Sequence, residues 1–407
     1  MSDTATDTET PHYGEPPRDA SEILKRAKAL APWLREQSDR IEQNRRLPGD
    51  VVEALRDTGV FRMAFPASWG GPDLTSPEQT EVVEALAYGD PSAGWCAMIG
   101  MDTGIYASYL DEATAKEMFA DQDQITAGLI LPAGKAERVP GGYRLTGRWR
   151  FGSGVTHAEW VIGGALVYRD GEKEPSPTGG PAHWRQFFMP HEQVEIIDTW
   201  TTTGLAGSGS CDYTVRDLFV PEARSFRLSE PLSRKGPQSL PDAVLRNMPG
   251  VPLGLARAAL DHFREAASQR TIPGSGERWS DNYRMQFALG ELEMRYKSIR
   301  HAVYGHLDRQ WERLSSVEDL DDLAPDERVE GSLIRLHAFR EARAIVTRVY
   351  DLLASSAIYR PNPVDRWLRD ATTMCQHIVT QDPFIQSAGA HLLGGRPEFP
   401  YSLGIVD

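Results

Sequence analysis

Residues 142–164, GYRLTGRWRFGSGVTHAEWVIGG, are where the chain changes period. YRLTGRWRF and, running on to Tyr168, WVIGGALVY alternate apolar and polar residues in the manner of half-buried strands. FGSG, between them, is rich in glycine. Similar short runs lie on both sides: ITAGLIL (125–131) before, and RQFFMP (185–190), VEIIDTW (194–200) and YTVRDLFVP (213–221) after. Gly, Pro and a polar loop over 169–183 separate them. This pattern predicts an antiparallel sheet or small barrel over 125–235.

Outward from that block the period becomes helical. Residues 21–42 carry apolar side chains at Ile23, Leu24, Ala27, Leu30, Ala31 and Leu34. PGDVVEALRDTG (48–59) has Pro near its start and Gly at its stop. Two more helices are expected over 76–88 and 92–109, broken at Gly89-Asp90-Pro91. Beyond the strands, helices are expected near 247–269, 281–314, 328–356 and 363–393, which suggests a four-helix bundle. The expected division is a flexible tail over 1–20, a helical domain over 21–124, the β-domain over 125–235 and a helical bundle over 236–407. The order is helices, strands, helices, an α+β arrangement without the βαβ alternation of a dinucleotide fold.

Composition narrows the function. Of 407 residues, 58 are acidic and 44 basic, a net charge of −14 that repels nucleic acid and anionic lipid. Three cysteines, Cys96, Cys211 and Cys375, form no CxxC pair, which argues against a disulfide framework or metal site and for a cytoplasmic setting. The acidic, polar first residues do not read as a signal peptide. No apolar run approaches the roughly 20 residues of a membrane helix.

Several motifs in this order resemble the acyl-CoA dehydrogenase superfamily. LPGDVVEALRDTGVFRMAFPASWGG looks like its entry helix and loop, GYRLTGRWRFGSGVTHAEWVIGG its flavin-facing strand pair, DTWTTTGLAGSGSCDYTVRDLFVP a strand–turn–strand, and NPVDRWLRDATTMCQH its final core helix. Within the superfamily the match is to two-component flavin monooxygenases, a branch that includes phenol and steroid-phenol hydroxylases, dibenzothiophene monooxygenase and amino-sugar nitrososynthases. The resemblance implies a helical domain, a flavin-facing β-domain and a four-helix bundle. It also implies reduced FMN or FAD supplied by a separate flavin reductase, O2 as co-substrate, a small-molecule substrate and a homotetramer.

The same resemblance nominates residues, each with a plainer reading. GLAGSGS (204–210) precedes a strand, not a helix, and by itself is a tight turn rather than a phosphate cradle. Phe151 matches the aromatic wall of the isoalloxazine, Ser153 the hydroxyl at its reactive edge, and Gly154 the adjoining turn; alone, this is a β-bulge. Leu129 and Leu131, in GLILPAG, would face the flavin. His377 falls where some members carry a catalytic histidine; an imidazole titrates near neutrality, so it suits acid–base work, although a lone helix histidine is usually structural. On a continuous helix Asp370 and His377 would share a face. Arg369-Asp370 reads as a structural ion pair.

An acyl-CoA dehydrogenase needs a carboxylate base, and the two family positions for it fall on Pro361 and near Val244. The residues that grip the far half of FAD are reduced to Arg270, with Pro273 in place of a phenylalanine. Around WCAMIGMDTG no histidine accompanies Trp95, unlike some hydroxylases. The expectation is a monooxygenase that oxygenates an apolar or aromatic small molecule through a C4a-(hydro)peroxyflavin, with Ser153 and His377 catalytic. The alternatives are a dehydrogenase-type FAD enzyme acting on a CoA thioester, and a non-catalytic scaffold.

Overall fold

The computed structural model describes residues 10–17, 19–177, 183–316 and 323–397. Most of the expected tail, part of the 169–183 loop and the last ten residues lie outside these.

Six helices come first: α1 (Ala20–Asn44), α2 (Gly49–Thr58), α3 (Ser76–Gly89), α4 (Pro91–Gly100), α5 (Thr103–Ala107) and α6 (Glu112–Met118). Their starts follow local chemistry. Asp19 caps α1 by accepting from Glu22 N, and Thr75 with Glu78 forms a capping box at α3. The expected helix over 92–109 is broken after Gly100 into α4 and α5. At the α3–α4 corner, Asp90 Oδ1 accepts from Ala93 N (2.9 Å). A Cβ at Gly89 would stand 2.6 Å from the Ala31 carbonyl, so only glycine lets α3 pack this closely on α1.

The strands are β1 (Thr126–Val139), β2 (Gly142–Gly152), β3 (Trp160–Arg169), β4 (Glu172–Lys173), β5 (Trp184–Pro190), β6 (Glu195–Ile197), β7 (Cys211–Pro221) and β8 (Ser225–Phe226). They form one sheet in the order β6-β7-β2-β1-β3-β5-β8, with β4 on β3. The expected antiparallel sheet is only mostly so, because β1 and β3 pair in parallel. The 152–159 connection carries the chain back across β1, and no sequence period reports that crossing. Pro132, which lacks an N–H, sits in the irregular part of the β1–β3 ladder. Trp149 anchors the sheet: it is fully buried, donates from Nε1 to Gly164 O (2.8 Å) and stacks on Tyr213.

The C-terminal part holds α7 (Ala243–Arg246), α8 (Gly250–Gln269), α9 (Tyr283–Leu314), α10 (Pro325–Leu353), α11 (Val364–Met374) and α12 (Asp382–Leu392). The central α10 packs on α8, α9, α11 and α12. The expected fourth helix is therefore two pieces. Thr380 Oγ1 and Gln381 Nε2 both donate to the Cys375 carbonyl (2.7 and 2.8 Å), closing the end of α11, and Pro383 stands in the first turn of α12. Glu84 of α3 accepts from Tyr296 Oη and Arg300 Nε of α9 (both 2.8 Å), tying the first domain to the last.

Candidate active site

FGSG and GLAGSGS meet on adjacent strands, because Gly152 pairs with Cys211. Phe151 has φ +60°, uncommon for a residue with a side chain, and its ring is 64% exposed, edge-on to Trp200 at 6.4 Å. A large apolar ring held out in a strained backbone is a feature associated with ligand sites.

Behind it runs a chain of buried hydroxyls whose direction can be worked out. Ser208 Oγ gives its single proton to the Leu205 carbonyl (2.7 Å), so it accepts at Ser210 Oγ (2.8 Å). Ser210 thus donates to Ser208 and accepts at Ser153 Oγ (2.8 Å). Ser153 has then committed its only proton, and it also accepts the indole N–H of Trp95 (3.0 Å). One lone pair on Ser153 remains for an outside donor.

Trp95 brings in the C-terminal part. Its ring meets His377 at 5.6 Å and Phe339 at 6.4 Å, both edge-on. His377 is not on the helix with Asp370: it follows α11 in extended backbone (φ −61°, ψ 144°) and caps the short turn Ile378–Thr380. Its Nδ1 accepts from Val379 N (3.4 Å), so the neutral ring carries its proton on Nε2, which has no partner among the described residues. Burial, with the Arg335 charge second, pushes His377 down to about 4. The ring is neutral at physiological pH and offers an N–H.

Asp370 has a different task from the ion pair expected of it. Arg369 pairs instead with Glu42 and Asp365. Asp370 Oδ1 accepts from Leu205 N (2.6 Å), holding the GLAGSGS turn against α11. A Cβ on Gly204 would stand 2.1 Å from the Arg369 carbonyl, which explains the glycine. Burial raises the Asp370 carboxyl to about 7, opposed by the Leu205 N–H. A raised carboxyl binds its proton more tightly folded than unfolded, so this group's contribution to stability falls as pH rises from about 4 to about 7. Asp370→Asn keeps the acceptor and removes the titration. Its melting temperature should fall less than the wild type's between about pH 5 and pH 8, by a few degrees; equal falls would show that Asp370 does not titrate in this window.

The other nominated residues are spread out. Leu129 and Leu131 are half-buried on β1, and Leu129 N donates to Tyr213 Oη (2.7 Å). Gly154 has φ +77° and donates to the Ser208 carbonyl, locking the two turns together. Arg270 stands at the end of α8, hydrogen-bonded to Ser356 Oγ and stacked on Trp279, with no described contact to the Ser153 cluster. Sequence reading passed over Ser208, Ser210 and Phe339 as site residues, and it marked Trp95 only for not being a histidine. The one available signal was the repeated Ser in GLAGSGS. Also passed over was His157 beneath the FGSG turn, both of whose ring nitrogens are buried without a partner among the described residues; burial holds it at about 4. Among the described residues no carboxylate bonds Ser153, Trp95 or His377. Val244 is buried, and Pro361 lies exposed in the turn before α11, whereas His377 follows the other end of that helix.

Residues 22–119 match the family described as acyl-CoA dehydrogenase, N-terminal domain, and residues 249–382 the one described as acyl-CoA dehydrogenase, C-terminal domain. An indole-3-acetate monooxygenase of Pseudomonas putida is 31% identical over 88% of this chain and 90% of its own length. The chain belongs to the flavin-dependent monooxygenase branch of the acyl-CoA dehydrogenase superfamily. Another relative in this branch, the flavin-dependent monooxygenase oxygenase subunit HsaA of Rhodococcus jostii, is 29% identical over 92% of this chain and 98% of its own. XiaF from Streptomyces, solved with FADH2 and glycerol, shares the fold: TM-score 0.83, 24% identity, covering 94% of this chain and 97% of that one. As a flavin monooxygenase, the chain is an oxidoreductase whose cofactor is reduced flavin and whose co-substrate is O2.

The local chemistry fits a reduced flavin. Its central ring carries an N–H, which needs an acceptor, and Ser153 has only an acceptor left to offer. Phe151 and Trp200 present apolar surface beside that atom.

Proposed function

We propose that the cleft bounded by Phe151, Ser153, Trp95 and His377 oxygenates an aromatic small molecule. What carries the reading is the one-way hydroxyl chain, which leaves Ser153 a pure acceptor, set beside a neutral imidazole and, among the described residues, no carboxylate. Reduced FMN or FAD, delivered by a separate reductase, supplies the two electrons that activate O2; one oxygen atom goes to the substrate and the other leaves as water. In this reading Phe151, Leu129, Leu131 and Gly154 wall the flavin ring and Ser153 accepts its N–H. Trp95 and Phe339 keep water from the substrate side, and His377 donates from Nε2 to oxygen. Of the two directions that acid–base work allows, the tautomer with its proton on Nε2 favours donation.

Indole-3-acetate, from the name of the Pseudomonas putida relative, is the first aromatic to try. Mixing the protein with anaerobically reduced flavin, then O2 and this acid, should give oxygenated product with less hydrogen peroxide than free flavin releases. Peroxide at the free-flavin rate and no product from any aromatic tried would sink the reading. Bleaching of bound FAD by an acyl-CoA would favour the dehydrogenase alternative.

A homotetramer is part of the proposal. Tyr283, Phe287 and Met294, all 60% exposed or more, form one stripe on α9, as an assembly surface would. So is a cytoplasmic location, supported by three free, buried cysteines. No helix among the described residues is long and apolar enough to cross a membrane.

A further inference from the structure

Arg335 stands on α10 one turn before Phe339, on the same helix face and about 6 Å along the axis. Phe339 meets Trp95, and the Arg335 charge reaches His377, so this guanidinium lies close to the Trp95–Phe339–His377 cluster. It is only 6% exposed. Its one described hydrogen bond is a long 3.5 Å contact from Nη1 to the Leu245 carbonyl, and its Nε has no partner. Among the described residues no carboxylate forms an ion pair with it. The acid that comes nearest to serving, Asp242, is already taken: Arg246 holds both its oxygens and Gln310 Nε2 adds a third bond (3.2 Å).

This arrangement is costly as it stands. A guanidinium keeps its proton even when buried, and the one carboxylate whose charge reaches Arg335, that of Asp242, is shared with Arg246, so the two cations face a single anion. His377 beside it is neutral and compensates nothing. A carboxylate would restore the balance, because the planar fork of arginine matches its two oxygens.

We propose that Arg335 anchors an anionic group of the substrate, so that the preferred aromatic carries a short carboxylate side chain. This rests on the oxygenation function proposed above and names the substrate class for that site. The ring would lie against Phe339 and Trp95, near His377, with its acidic arm directed one helical turn toward the N–H groups of Arg335.

The test is calorimetric binding of indole-3-acetate and of its neutral amide, indole-3-acetamide, to the full-length protein without flavin. The same pair is then assayed for oxygenation with reduced flavin. The acid should bind at least about tenfold more tightly than the amide. Arg335→Gln should erase the difference by weakening the acid alone, and Arg335→Lys should retain part of it. The comparison on wild-type protein needs no substitution, so a variant that fails to fold does not remove the test. Equal affinity for acid and amide, or a preference that survives in Arg335→Gln, overturns the proposal. If the wild type prefers the acid yet oxygenates neither compound while binding reduced flavin, the oxygenation reading fails and the anion site stands.

Discussion

Replacing His377 with alanine is expected to lower coupled oxygenation by about 10²- to 10³-fold while leaving the affinity for reduced flavin within about twofold. The ring touches Trp95 and has one nitrogen uncommitted, so its removal takes a hydrogen-bond donor from a water-poor cleft without disturbing the hydroxyl chain around Ser153. Two replacements separate donor from base. Glutamine can put an N–H near the position of Nε2 but cannot take up a proton near neutrality, so His377→Gln should recover part of the activity if donation is the role. Recovery no better than alanine would assign base chemistry instead. The pH profile gives a second measure. A ring held at about 4 is neutral from about pH 5 to pH 8, and no limb of the rate profile in that range should disappear in His377→Gln. A limb near pH 6.5 that does vanish would show the imidazole titrating as it does in water.

The second large effect concerns Ser153. Ser153→Ala removes the acceptor from the cleft and leaves the buried Trp95 N–H and the Ser210 oxygen without their partner. Hydrogen peroxide release at the expense of product should rise by about 10- to 100-fold, with the fold weakened by about 1–3 kcal/mol. Such a loss alone would not distinguish chemistry from packing, so the informative comparison is Ser208→Ala. Without the bond from Ser208 to the Leu205 carbonyl, nothing dictates the direction of the chain. Ser210 can then donate to Ser153, and Ser153 can donate outward. The central ring nitrogen of a flavin is a donor when reduced and an acceptor when oxidised, so Ser208→Ala should narrow the preference for reduced over oxidised flavin by about tenfold. Titration of both redox states under anaerobic and aerobic conditions checks this. An unchanged ratio would mean that the hydroxyl chain does not set the polarity of Ser153.

Much of this protein could be read from residue order. The change of period at 125, the glycine punctuation of the strands and the return to long helices depend on local burial pattern, which each segment carries within itself. Ser153 and Phe151 could be nominated because the FGSG motif is contiguous, and His377 because the RDATTMCQH segment is. The helix around His377 misled, since it ends where Thr380 and Gln381 reach back to the Cys375 carbonyl, a bond between side chain and backbone that apolar spacing does not record. The parallel pairing of β1 with β3 was equally invisible, because alternation reports which face is buried and not which neighbour lies alongside.

The acceptor character of Ser153 and the charge balance around Arg335 belong to a different category. Ser153 takes its polarity from Trp95, 58 positions away, and from a turn 57 positions away. Arg335 has no ion pair among the described residues because Asp242, in the turn leading into α7, is occupied by Arg246. The residue types and the strand and helix periods were local properties, set by each side chain's affinity for water and its reach along its own segment. The direction of a proton along a hydroxyl chain, the tautomer of an imidazole and the sharing of one carboxylate between two guanidinium groups are properties of neighbours. They came into being only when folding brought distant segments within hydrogen-bond range.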